Sequence, residues 1–121
     1  MAVQFTNVTQ AEMDKFLTRA FRALTPRRST HRGEIYYDLL LSSLVAVRVW
    51  TSIRDGASQG AGIGEDAIRI QLYSIRSQRP LKSGKAPIVK RTQNWRDNLQ
   101  DRIEAEMEDY HDREGYWESR A

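Results

Sequence analysis

The feature that most constrains the fold is a period of two along residues 45–54. Two sets of side chains alternate there: Val45, Val47, Val49, Thr51 and Ile53 against Ala46, Arg48, Trp50, Ser52 and Arg54. Because successive side chains of a β-strand point to opposite sides of a sheet, this segment predicts a strand with one apolar face and one cationic, aromatic face. A sheet built around it buries the first face and presents the second to solvent or to a partner.

Shorter patterns of the same kind predict the other strands. Residues 34–41 and 68–73 alternate in the same way, and residues 88–91 are long enough for a short strand. The serine pair at 42–43 is predicted as a turn, with a single bent strand as the alternative. Residues 2–5 predict a short additional first strand, so four or five strands are expected.

Two helices are expected, one before and one after the strands. Thr9 and Glu12 have the spacing of a capping box, and an apolar stripe follows until Pro26 ends the helix. Thr92 or Asn94 caps the second helix. Its apolar stripe consists of Trp95, Leu99, Ile103, Met107 and Tyr110.

Each helix has only one apolar stripe to bury, so both are expected on the same face of the sheet. The predicted fold class is therefore α+β, with a mostly antiparallel sheet of four or five strands and an N-terminal and a C-terminal helix packed on one face. A single domain is expected over residues 1–110, followed by an acidic, aromatic tail at 111–121.

The charges divide the chain into a basic body and an acidic end. Residues 1–103 carry 17 of the 19 Lys and Arg side chains but only nine of the 16 carboxylates, whereas residues 104–121 carry two and seven. From Arg69 to Arg96 there are eight basic residues and no acidic residue. A field of this kind attracts polyanions.

The alternation assigns aromatic, basic and amide side chains to the sheet face opposite the core. They are Tyr36, Arg48, Trp50, Arg54, Arg69, Gln71 and Tyr73. Aromatic rings stack on bases for about 1–3 kcal/mol each and arginines neutralise phosphates, so this set is typical of a surface for single-stranded nucleic acid. Two alternatives stay open: cross-strand cation–π pairs without a ligand, and contact of Trp50 with another protein subunit.

A basic loop is expected over residues 77–87. The predicted phosphate contacts in and around it are Arg76, Arg79, Lys82, Lys85, Lys90 and Arg91. Ser83 and Gly84 lie between two lysines and let backbone amides approach a phosphate, although the spacing is not that of a nucleotide-binding P-loop. The arginines of residues 27–33, also predicted as a loop, extend the basic surface. A solvated basic loop without a partner is the alternative.

Two further segments have more than one interpretation. The glycine-rich residues 56–64 form either a mobile connection between strands or a flap that closes over a bound strand. The acidic residues from Glu104 to Glu118, with Tyr110, Tyr116 and Trp117 among them, have three interpretations. They end the helix in solvent, compete with nucleic acid for the basic face, or recruit a basic partner.

The sequence contains no pattern typical of a catalytic centre, and no cofactor is expected. The absence of cysteine excludes disulfides and thiolate chemistry, and two histidines do not make a histidine-rich metal site. A nuclease site assembled from His31 with Glu34, or from Asp38 with Glu65 and Asp66, matches no known spacing.

The chain also lacks the patterns of a membrane or secreted protein. No apolar run is long enough to span a bilayer, and the first residues do not resemble a signal peptide. A cytoplasmic protein without a membrane partner is therefore expected.

The leading hypothesis is a nucleic-acid-binding protein without catalytic activity that prefers single-stranded DNA or RNA. In size and in its basic sheet the chain resembles small single-strand-binding or annealing proteins of phages and plasmids. The alternative is a protein–protein assembly module, a homo-oligomeric structural or regulatory component of the phage type, in which Trp50 contacts another subunit.

Overall fold

The computed structural model describes residues 8–31, 34–51 and 67–121. Its elements are α1 (Gln10–Ala20), a 3-10 turn (Arg22–Leu24), β1 (Arg27–His31), β2 (Glu34–Leu40), β3 (Val45–Thr51), β4 (Ala67–Ser74), β5 (Arg79–Pro80), β6 (Ile88–Lys90), α2 (Trp95–Asp112) and α3 (Glu114–Arg120). The predicted α+β class is confirmed. The strand predicted at 2–5, the glycine-rich residues 56–64 and Arg54 lie outside the described residues.

The six described strands form one antiparallel sheet. Strands β1 to β5 are neighbours in chain order, and β6 pairs with β4 on the same side as β5. The two short strands hydrogen-bond to opposite ends of β4: β5 pairs with Tyr73 and Ser74, and β6 pairs from Ala67 to Arg69. The sheet edge beside Gln71 is therefore occupied by the segment that connects β5 to β6.

One face of the sheet, the inner face, forms the core together with the helices. Its members and their helical partners include Met13, Leu17, Leu39, Val47, Val49, Ile70, Leu72, Leu99 and Ile103, all fully buried. Burying such a side chain stabilises the fold by about 1.5–3 kcal/mol. The rings of Phe16 and Trp95 meet edge to face at 5.4 Å between centroids, which joins α1 to α2.

The capping box predicted for the first helix is present. The Thr9 side chain accepts a hydrogen bond from the Glu12 N–H, and the Glu12 carboxylate accepts from the Thr9 N–H. The helix ends earlier than Pro26, however, because a separate 3-10 turn follows and Thr25 takes a left-handed backbone conformation with φ of 50°.

The prediction of a loop at residues 27–33 was wrong, because residues 27–31 form β1. This strand pairs with β2 over its whole length, from Arg27 opposite Asp38 to His31 opposite Glu34. The alternation is hidden in the sequence because both faces of this edge strand are polar. On the inner side Arg28 is ion paired with Asp14 of α1 at 2.5 Å.

The segment at 111–121 contains helix α3 and packs on the domain. Trp117 is only 4% exposed and belongs to the core cluster. The Glu118 carboxylate accepts hydrogen bonds from the hydroxyls of Ser42 and Tyr110, at 2.8 and 3.0 Å. These contacts attach α3 to the turn between β2 and β3 and to α2.

Candidate functional site

The strand register places a row of side chains across the face of the sheet opposite the core, called here the outer face. Tyr36 of β2 lies opposite Trp50 of β3, Trp50 lies opposite Arg69 of β4, and Arg69 lies opposite Ile88 of β6. On the other side Ser29 of β1 lies opposite Tyr36. Side chains directly opposite each other in an antiparallel pair are within contact distance, so the row is continuous over five strands.

Two aromatic rings of this row are stacked. The centroids of Tyr36 and Trp50 are 6.1 Å apart and the ring planes differ by 29°. Both residues are half-buried, and in the described residues the helices pack on the inner face. The pair therefore presents part of its aromatic surface outward.

Arg48 lies in the next row and is held by its neighbours. Its Nε and Nη2 donate to the two carboxylate oxygens of Asp38 at 2.8 and 3.0 Å. Its guanidinium lies 3.7 Å from the ring centroid of Tyr73 and 5.2 Å from that of Tyr36. Burial, the largest single influence, lowers the pKa of Arg48, but the hydrogen bonds to Asp38 and the charges nearby together outweigh burial, and the net pKa is raised. Arg48 therefore stays charged, and its charge is balanced within the protein.

This arrangement is the cross-strand cation–π pairing that the sequence left open as an alternative. The Arg48 side chain is 14% exposed, so little of its guanidinium is accessible to a ligand. It contacts the rings of Tyr36 and Tyr73 from within the protein.

Tyr73 is fixed from its other end by the turn between β4 and β5. Its hydroxyl donates to the backbone carbonyl of Gln78. Gln78 adopts a φ of 58°, in the left-handed region, and its N–H donates to the Ser74 carbonyl at 2.9 Å. The turn thus places the Gln78 carbonyl where the phenol can reach it.

The rings and the turn enclose a concave depression of about 640 Å³ on the outer face. It is lined by Ser29, Tyr36, Arg48, Trp50, Gln71, Tyr73, Gln78 and Pro80. Three of these side chains are aromatic, and hydrogen-bonding groups surround them. A planar, partly polar ligand group fits such a surface because its face contacts the rings and its edges meet polar atoms.

Some of the predicted cationic contacts are found on this face or at its margin. Arg69 lies in the aromatic row, and Lys90 is exposed on the outer side of β6, opposite Ala67. Arg76 is exposed in the turn after β4, and Lys85 is exposed in the segment before β6. Arg79 of the short edge strand β5 is exposed but lies opposite Ser74 of the inner face, so it is not on the outer face.

Two more predicted phosphate contacts are also placed away from the outer face. The ammonium of Lys82 bridges Glu106 and Asp109 of α2, at 2.6 and 2.5 Å. Burial lowers the pKa of Lys82, but these two carboxylates outweigh it and the net pKa is raised. Arg91 is only 6% exposed. Neither side chain belongs to the outer face.

Sequence reasoning missed four residues of the site. Ser29 was overlooked because β1 was predicted as a loop, and Gln78 and Pro80 because β5 has only two residues. Ile88 is 52% exposed on the outer face, directly beyond Arg69. The alternation of Ile88, Val89 and Lys90, in which only Val89 is buried, is the signal that identifies Ile88 as outward-facing.

The described residues contain no group of three or more His, Asp or Glu side chains that could hold a metal ion. Asp38, one of the residues considered for a nuclease site, is ion paired with Arg48. Within the same ranges every helix is too short or too polar to cross a lipid bilayer.

Comparison of the chain with protein-family models, with curated proteins and with solved structures found no match.

Proposed function

We propose that the protein binds single-stranded nucleic acid across the outer face of its sheet. The observation that carries the proposal is the stacked, half-buried pair of Tyr36 and Trp50, with Arg69 next in the same cross-strand row. Stacking rings beside a cation are the two components with which proteins bind single strands irrespective of sequence.

The geometry favours a single strand over a duplex. Aromatic rings at the surface bind the flat faces of bases, and those faces are hidden by stacking inside a double helix. Trp50 and Tyr73 line one depression, so a base placed there contacts a ring and meets the polar groups of Gln71 and Gln78 at its edges.

The phosphate contacts in this proposal are Arg69, Lys90, Arg76 and Lys85. Arg48 is left out because Asp38 balances its charge. Lys82 is left out because it is already ion paired with two carboxylates of α2. Four contacts predict a slope of about −2.8 for the logarithm of the association constant against the logarithm of salt concentration, at about −0.7 per contact.

The direct test is fluorescence anisotropy with a labelled thymidine oligonucleotide and a duplex of equal length. Trp50→Ala is expected to weaken single-strand binding by about five- to 150-fold, the equivalent of one lost base stack at about 1–3 kcal/mol. Tyr116→Ala is the matched control, because Tyr116 is 48% exposed on α3, away from the outer face. Equal losses for both variants, or tighter binding of the duplex, would contradict the proposal.

The cationic part has its own test. The double variant R69Q/K90Q is expected to reduce the salt slope by about 1.4. Its control is K15Q/R19Q, which removes the same charge from exposed positions on α1. A slope that falls equally in both variants reports net charge rather than the outer face.

Exposed Ile88 favours a second candidate, a protein–protein assembly module. It extends the aromatic row as an apolar surface, and such surfaces also occur where subunits meet. Sedimentation in low and high salt distinguishes the two functions. The assembly function is supported if the protein is an oligomer that dissociates in W50A and I88S and if nucleic acid does not change its sedimentation.

A further inference from the structure

A second, smaller cavity lies at the sheet edge beside Gln71. It has a volume of about 150 Å³ and is formed by Gln71, residues 82–87, and Arg102 and Glu106 of α2. At about 30 Å³ of liquid volume per water molecule, it has room for about five waters. A phosphate group fits this volume.

The charges that line the cavity favour an anion. Lys82 is ion paired with Glu106, which also lines the cavity, and with Asp109 next to it, so these three groups together carry a charge of −1. Lys85 and Arg102 add two positive charges to the lining. The Nε of Arg102 is buried and has no hydrogen-bond partner among the described residues. A buried donor without a partner costs about 1–3 kcal/mol, and an oxyanion that draws the Arg102 side chain toward the cavity removes this cost.

The loop that forms the wall is built from small residues. Ser83 and Gly84 lie between Lys82 and Lys85, and Ala86 follows Lys85; all three small residues line the cavity. Gly84 has a φ of 89°, in the left-handed region, and a Cβ at this position would meet no atom within 4 Å. Glycine is therefore required by the backbone conformation and not by lack of space. Left-handed residues in such loops turn backbone N–H groups toward an anion.

We propose that this cavity is a binding site for a terminal phosphate group, a phosphate monoester or free phosphate. Arg102 and Lys85 neutralise its charge, and the Gln71 amide donates to it. The site is at the edge of the outer face, because Gln71 also lines the aromatic depression. The identification of this phosphate as the end of a strand bound on the outer face rests on the proposed function. The binding of a phosphate group in the cavity does not.

The first experiment uses inorganic phosphate alone and reads the Nε–H signal of Arg102, the side-chain amide of Gln71 and the backbone amide of Gly84 by NMR. All three signals are expected to shift and to saturate together. Arg102→Gln abolishes the shifts at Gln71 and Gly84. Arg102→Lys retains part of them, because lysine keeps the positive charge but lacks the paired N–H donors of the guanidinium. Lys15→Gln, on the exposed side of α1, leaves them unchanged.

The second experiment identifies the source of the phosphate. Oligonucleotides of one sequence with a 5′-phosphate, a 3′-phosphate or neither are compared for binding. A terminal phosphate on one end is expected to tighten binding about tenfold through charge-assisted bonds, and the affinity ratio falls to about one in R102Q. Equal affinities for all three, with the shifts by inorganic phosphate intact, assign the site to free phosphate.

The two proposals fail in different ways. Absence of any shift with inorganic phosphate, or an identical shift in R102Q, overturns the phosphate site, whatever the oligonucleotides do. If the protein does not bind a single strand, or binds it equally well in Trp50→Ala, the outer-face proposal is overturned. The response of the Arg102 signal to inorganic phosphate is unaffected by that outcome.

Discussion

The two faces of the sheet use polar groups in different ways. On the inner face the polar side chains are matched inside the protein: the Tyr37 hydroxyl donates to Asp14 at 2.6 Å, and the Ser74 hydroxyl donates to the carbonyl of Ala121 at 3.1 Å. On the outer face Arg48 is matched with Asp38, but Trp50 and Arg69 remain half-buried beside a depression of about 640 Å³.

The difference shows that one alternating pattern serves two purposes. The inward positions of β3 and β4 stabilise the fold by burial, and the outward positions carry rings and charges that the fold does not cover with a described helix. Mutations on the two faces should therefore separate stability from binding.

The largest expected effect is the loss of a core side chain. Leu72→Ala is expected to lower the free energy of unfolding by about 2–5 kcal/mol, because Leu72 is fully buried and its removal leaves a cavity. Tyr73 is the next residue of β4 and points to the outer face. Tyr73→Ala is expected to lower the free energy of unfolding by less than Leu72→Ala but to weaken strand binding. Chemical denaturation and anisotropy on both proteins test this. Equal stability losses would contradict the separation of the faces.

A smaller effect is expected at the hydrogen bond between Tyr37 and Asp14. Tyr37→Phe removes the phenol that joins β2 to α1, and the free energy of unfolding should fall by about 1 kcal/mol. Burial and the Asp14 carboxylate raise the pKa of Tyr37, so the phenol is protonated and able to donate at any neutral pH. Tyr116→Phe, at an exposed position, is the control, and strand binding is expected to be unchanged in both.

The sequence predicted those elements of the fold whose pattern of apolar and polar residues lies within the element itself. The alternation of β3 and β4 and the stripe of α2 identified the core and assigned Trp50 and Tyr73 to the outer face, as the structure shows. Edge strand β1 was missed because neither of its faces is apolar. Its signal is pairing with β2, which a sequence does not display.

The site was only partly predictable because ion pairs join distant parts of the chain. The basic run from Arg69 to Arg96 contains no acid, but α2 supplies Glu106 and Asp109 to Lys82 across 24 and 27 positions. The Trp117 ring was predicted as part of a tail and is instead buried in the core. Such contacts depend on the packing of helices against the sheet and leave no periodic trace.

Asp38→Asn tests whether the ion pair of Asp38 with Arg48 limits binding at the outer face. Removing this carboxylate leaves the Arg48 charge unbalanced on a surface proposed to meet phosphates. Strand binding at low salt is expected to tighten by up to about fivefold, the equivalent of an ion pair worth about 1 kcal/mol. Weaker binding would instead show that Asp38 is needed to hold Arg48 between Tyr36 and Tyr73.

The smallest effect is a dependence of stability on pH. The bond from Lys82, with a further contribution from Arg113, holds the pKa of Asp109 below its ordinary value of 3.8, although burial opposes this. Because the pKa is lower in the folded state, the stabilisation is present above the unfolded value and is lost as the pH falls through the folded value. Asp109→Asn should therefore flatten the fall of the unfolding free energy in acid, by less than about 1 kcal/mol. Parallel curves for the two proteins would refute this.

The most direct measurement of the central claim is intrinsic tryptophan fluorescence during titration with an unlabelled thymidine oligonucleotide. The chain has three tryptophans, of which Trp95 and Trp117 are buried and Trp50 is half-buried on the outer face. Stacking of a base on Trp50 predicts saturable quenching that weakens with salt and is absent in Trp50→Phe. Binding without quenching, or quenching that persists in Trp50→Phe, would contradict the account.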